Sequence, residues 1–140
     1  MWFFMNGKIK PMTDSCKDLS SAERHAKASA IIESLWQAET GVISVQVLQE
    51  FYVTLTRKIK NPLKPAEARE IIVNYFSWPV QVNDPEMTLQ ASEIGEKNNL
   101  SFGDALIIAA ARRLHAKKLI TEDLNHGQII EGILVENPFK

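Results

Sequence analysis

Cysteine is almost absent. Cys16 stands alone in 140 residues, so no intramolecular disulfide can form and packing must hold the fold. A single thiol fits a reducing compartment, and a cytoplasmic location is the expectation. Long apolar runs are missing too: nothing approaches the roughly 20 residues of a membrane-spanning helix. Met1 to Met5 is apolar, but no basic stretch precedes it and it is too short for a signal-peptide core. No charge of one sign dominates. The formal net charge is −1, which neither demands nor excludes nucleic acid as a partner. Internal repeats and low-complexity tracts are also lacking. Hydrophobic and charged fractions of 45% and 24% are those of an ordinary globular protein. Together these features predict one domain, residues 1–140, with a sizeable core and no membrane.

What is present is a repeated alternation of short apolar runs with helical periodicity. Trp2 to Met5 reads as a first strand, apolar on both faces and therefore central and parallel. Asn6-Gly7 ends it, and Met12 to Leu19 reads as loop. Ser20 or Ser21 caps a helix to about Ala38, with Ala26, Ala30, Ile31, Leu35 and Trp36 as its inner face. His25 on that helix has no acidic or cysteine partner in register and reads as a surface residue. Val42-Ile43 is a second strand. Ser44 caps the helix SVQVLQEFYVTLTRK, whose stripe is Val45, Leu48, Tyr52 and Leu55. Glu50 lies off that stripe, as a solvated residue would, or as a carboxylate set near a strand end. Lys58 to Lys64 is a basic loop. Pro65 opens a helix to about Phe76, with Ile71, Ile72, Tyr75 and Phe76 apolar. Val80 to Val82 is a third strand. Asp84 caps a helix that buries Met87, Leu89, Ala91 and Ile94 and ends at Asn98-Asn99. Ile133 to Val135 is a last strand.

Leu100 to Leu124, LSFGDALIIAAARRLHAKKLITEDL, is the organising stretch. Ser101 is a helix cap with Asp104 in the capping-box position. Ala105 to Ala111 is apolar without a break, as in a helix covered on all sides. Basic residues from Arg112 to Lys118 suit its C-terminal end. Leu119-Ile120-Thr121 is a strand with Glu122-Asp123 at its carboxyl edge. Ligands of parallel sheets bind beyond the carboxyl ends of strands, so Asp104 and Asp123 can share a crevice. Each also has a plainer role, Asp104 in the cap and Asp123 in a turn. Gly103 costs roughly 1 kcal/mol against Ala in a helical turn, which hints at a close approach there. About five strands alternating with helices predict an α/β fold, a mostly parallel sheet flanked by helices.

SFGDALIIAAARR followed by LITEDL, with ISVQVLQEFYVTLTRK upstream and a terminal NPF, resembles a PIN domain. More narrowly, it is similar to the VapC-type toxins of bacterial toxin–antitoxin pairs. The resemblance runs from Ala22 to Phe139, and residues 1–19 diverge from the pattern. It implies a three-layer fold and a Mg²⁺- or Mn²⁺-dependent endoribonuclease. It also implies an RNA substrate, a homodimer and a cognate antitoxin. Glu50, Asp104 and Asp123 match the family's acidic positions and would be both catalytic and metal-binding, with Thr121 and Glu122 supporting. Clustered carboxylates suit such hard cations, and the metal would activate water on the scissile phosphate. Arg57, Lys58 and Lys60 are candidate RNA contacts. The first strand departs from the family. Asn6 falls at its first aspartate, leaving a weaker, uncharged metal ligand, and Lys8 falls at its asparagine. Gly103 replaces the usual large aromatic residue.

Three readings follow. The first is the VapC-like nuclease, impaired by the loss of one aspartate. The second is a catalytically inactive PIN domain that binds protein, or RNA through Arg57, Lys58, Lys60, Arg112 and Arg113. The third is a phospho-acceptor receiver domain, which would want an acidic pair after the first strand. Asn6-Gly7 does not supply one.

Overall fold

The structure is a computed structural model that describes residues 3–5 and 21–140. In chain order its regular elements are β1 (Phe3–Met5), α1 (Ser21–Ala38), β2 (Gly41–Ser44), α2 (Val45–Val53), α3 (Pro65–Asn74), β3 (Val80–Gln81), α4 (Pro85–Asn98), α5 (Phe102–Arg113), β4 (Lys118–Ile120), β5 (Ile129–Ile130) and β6 (Ile133–Glu136). A π-turn, Thr54–Lys58, extends α2, and a 3-10 turn, Tyr75–Ser77, extends α3. The strands form one sheet in the order β3-β2-β1-β4-β6-β5. Helices α1, α2 and α5 contact the sheet, while α3 and α4 pack on α2 and α5.

The expected α/β architecture is present, with two differences in the sheet. Strands β2, β3, β4 and β6 share one direction, but β1 runs antiparallel to both its neighbours, β2 and β4. The expectation that β1 is central holds, and the expectation that it is parallel does not. An apolar run reports that both faces of a strand are covered; it carries no information on direction. The sixth strand is β5, paired antiparallel to β6 across a two-residue turn. Glu131 and Gly132 both have positive φ there, 51° and 79°, as the turn favoured in tight hairpins requires. Glu-Gly between two isoleucine-containing runs was the available signal.

The core gathers on α5. Ala105, Ile107, Ile108, Ala109, Ala110 and Ala111 are all buried, between α4 on one side and the sheet on the other. Alanine permits the close approach, and each large side chain removed from water contributes roughly 1.5–3 kcal/mol. A second centre is aromatic: Trp36, Phe51, Tyr75 and Trp78 pack tilted or edge to face, with centroids 4.9–5.7 Å apart. Gly41 lies against it, since a Cβ there would sit 2.6 Å from the Trp78 ring.

The helix caps fall where the sequence places them. The Ser44, Asp84 and Ser101 side chains accept from the amides of Val47, Met87 and Asp104. Inner faces are less well predicted. Ala26, Ala30 and Leu89 are exposed, contrary to expectation, and α2 buries Val47 and Phe51 beside the expected Leu48, with Val45, Tyr52 and Leu55 only partly covered. Helical spacing defines a stripe, but which edge of that stripe is covered depends on the neighbour. Among the described residues, no helix is long and apolar enough to cross a membrane.

Candidate acidic cleft

Three connections converge beyond the carboxyl ends of the parallel strands. The chain leaves β2 at Ser44 and enters α2, which carries Glu50. It enters α5 at Ser101, whose hydroxyl accepts the Asp104 amide at 3.2 Å and so fixes the first helical turn. It leaves β4 at Ile120 and turns through Thr121, Glu122 and Asp123. The outcome is a cleft of about 690 Å³ whose lining includes Glu50, Asp104, Glu122, Asp123, Thr54 and Lys58. Residues 50, 104 and 122–123 are far apart in sequence, and the sheet edge brings them together.

Thr121 is buried at 1% exposure. Its amide donates to the Glu136 carbonyl of β6, at 3.0 Å. Its hydroxyl accepts the Asp123 amide at 3.1 Å. Such a local hydroxyl turn sets the direction of the backbone two residues on. Thr121 therefore acts on the cleft by holding Asp123. Asp104 is half-buried, while Glu50, Glu122 and Asp123 are exposed.

The donor set is all oxygen, and three or four carboxylates suit a hard divalent cation. Among the described residues, however, no three His, Cys, Asp or Glu side chains converge closely enough to form a ready metal cage. The residues fit such an ion in chemistry and in shared location, with Asp104, Asp123 and Glu50 as its prospective holders. Asn6, the other sequence candidate, lies outside the described residues, as does Lys8. Met5 pairs with Lys118 and Gly41, so the carboxyl end of β1 lies beside the start of β4 and not beside Thr121.

One expectation around the cleft needs correction. Gly103 marks no close approach: a Cβ there would meet nothing within 4 Å. Its carbonyl accepts from Gln46 Nε2 at 3.3 Å, which links the start of α2 to the start of α5. Arg112 and Arg113, RNA contacts in the binding-module reading, do not line the cleft. They lie at the far end of α5, eight and nine residues on, which at 1.5 Å per residue is roughly 12–14 Å from Asp104 along the axis. There Arg113 pairs with Asp84 at 2.6 Å and with Glu86 at 3.8 Å, and Arg112 pairs with Glu131 at 3.6 Å. Of the basic run, Lys58 lines the cleft, while Arg57 and Lys60 are exposed and do not line it.

The chain is thus an α/β domain with acidic side chains gathered at the carboxyl edge of its parallel strands. The family model for the PIN domain matches residues 17–130, and the chain belongs to that family. PIN domains are generally divalent-metal-dependent nucleases. No curated protein matched the chain.

Proposed function

We propose that this PIN domain is a VapC-like endoribonuclease that hydrolyses RNA phosphodiester bonds with Mg²⁺ or Mn²⁺. The observation that carries the reading is the shared cleft of Glu50, Asp104, Asp123 and Glu122. Asp104 and Asp123 are its principal carboxylates and are the best oriented, each by a hydroxyl that accepts the aspartate's own amide. A bound cation would supply an activated water and offset charge on the scissile phosphate. The chain's own contribution is to hold these oxygens on rigid strand and helix ends. A homodimer and a cognate antitoxin are the partners this reading carries. Val73 and Phe76, left exposed on and after α3, support the former.

A second reading rests on Asn6, where the family's first aspartate is replaced by an uncharged residue. It makes the chain a PIN domain that binds protein or RNA without cleaving. One experiment separates the two: RNA cleavage in Mn²⁺ and in EDTA by the native protein, Asn6→Asp and Asp104→Ala. Cleavage by native protein that Asp104→Ala abolishes supports the enzyme. Cleavage only by Asn6→Asp identifies a disabled nuclease. If both are inert, the nuclease reading fails.

A further inference from the structure

Lys58 is the one described residue whose charge contradicts the cleft it lines. It belongs to the π-turn that ends α2, and it faces the same space as Glu50, Asp104, Glu122 and Asp123. Its position is a consequence of that turn. Glu50, Thr54 and Lys58 are four residues apart, and all three line the cleft. In a continuous α-helix of 3.6 residues per turn, eight residues advance about 2.2 turns, which would swing Lys58 roughly 80° away from Glu50. The Ile59 amide instead reaches back five residues to the Thr54 carbonyl, at 3.2 Å. That wider turn absorbs an extra residue and returns Lys58 to the Glu50 side. Insertions of this kind recur at functional sites. Beyond Lys58 the chain continues through Lys60 and Lys64, both exposed, so positive charge extends outward from one end of an otherwise acidic cleft.

An ammonium here cannot serve as a metal ligand. It can hold an anion beside the carboxylates. We infer that Lys58 is a positioning residue that binds a phosphate of the RNA backbone next to the scissile one, seating an extended single strand across the cleft. This deepens the nuclease reading of the cleft and rests on it. A substrate must then carry a phosphodiester beyond the bond that is cut, so a dinucleotide would be a poor substrate and a longer strand a good one. A contact to the backbone is indifferent to sequence.

The test measures binding of a short fluorescent single-stranded RNA by anisotropy in EDTA, so that no cleavage occurs, across a salt series. Lys58→Gln is compared with Lys58→Arg and with Lys117→Gln, which removes the same charge from an exposed position preceding β4. The expected result for Lys58→Gln is several-fold weaker binding, equal across RNA sequences and for single-stranded DNA. The slope of log affinity against log salt should fall by about 0.7, the value for one phosphate contact on a single strand. Lys58→Arg should retain both, and Lys117→Gln should resemble native protein. Where the native protein cleaves in Mn²⁺, Lys58→Gln should raise KM more than it lowers kcat. Equal effects of Lys58→Gln and Lys117→Gln would overturn the inference, as would a native protein that binds no RNA. An inert native protein in which Lys58→Gln still lowers the slope would leave this contact standing and remove the nuclease reading alone.

Discussion

Thr121 shows how a buried residue can control an exposed one. It sits at 1% exposure directly after β4 and accepts the Asp123 amide. Thr121→Val keeps the shape and deletes the acceptor. If the chain is the proposed nuclease, RNA cleavage by Thr121→Val should fall by about 10–100-fold, the usual effect of losing a group that orients a metal ligand. Thr121→Ser should keep most of the activity, because the hydroxyl remains. Steady-state kcat/KM of the three proteins checks this, and equal loss in Val and Ser variants would point to packing instead. The sequence offered Thr121 only through its family resemblance. Nothing local in Thr-Glu-Asp distinguishes a hydroxyl that holds a turn from one that faces solvent.

Two ion pairs of different burial make opposite points about the elements that carry them. Lys118 on β4 and Glu136 on β6 meet at 2.6 Å, with side-chain exposures of 3% and 9%. Removing one partner from such a pair leaves a buried charge and costs about 3–5 kcal/mol, whereas replacing both by apolar residues is often neutral. Lys118→Met is therefore expected to lower stability by that amount in urea unfolding, and Lys118→Met with Glu136→Leu to recover most of it. The pair on α4 and α5 is open to solvent. Asp84 caps α4 through the Met87 amide and meets Arg113. The hydrogen bond from Arg113, with that from Met87, holds its carboxyl below the usual 3.8. A folded-state pKa below the unfolded one gives stability that is present above pH 3.8 and lost as pH falls through the folded value. Asp84→Asn keeps an acceptor for the cap but cannot titrate. The expected outcome is a shallower fall of Tm with acid below pH 3.8 than in native protein, and a small effect given the exposure.

At the scale of the molecule, the cleft exists because a parallel set of strands aligns its carboxyl ends. The α2 helix after β2, the start of α5 and the turn after β4 are then forced to meet. If these carboxylates share a cation, Mn²⁺ must stabilise the folded chain by mass action, by about 2.7 kcal/mol at one hundred times its dissociation constant. Thermal unfolding with and without Mn²⁺ measures this. The shift should vanish when Asp104→Asn and Asp123→Asn are combined, and its absence in the native protein would remove the metal from the proposal.

Alternation of helices and strands, the caps at Ser44, Asp84 and Ser101, and the covered apolar run of α5 were determined by the sequence alone. Each depends on neighbours within a turn or two, or on an apolar run too long to be exposed. Family likeness added Glu50, which periodicity alone would leave to solvent. Tertiary structure decided what local patterns cannot encode. It set the direction of β1, because burial is the same for parallel and antiparallel strands. It also decided which alanines and leucines are covered, because a stripe is wider than its contact. It gave Arg112 and Arg113 to the carboxylates Glu131, Asp84 and Glu86. It turned Lys58 into the cleft through one wide helical turn, a departure of a single residue from the periodicity that a sequence reading assumes.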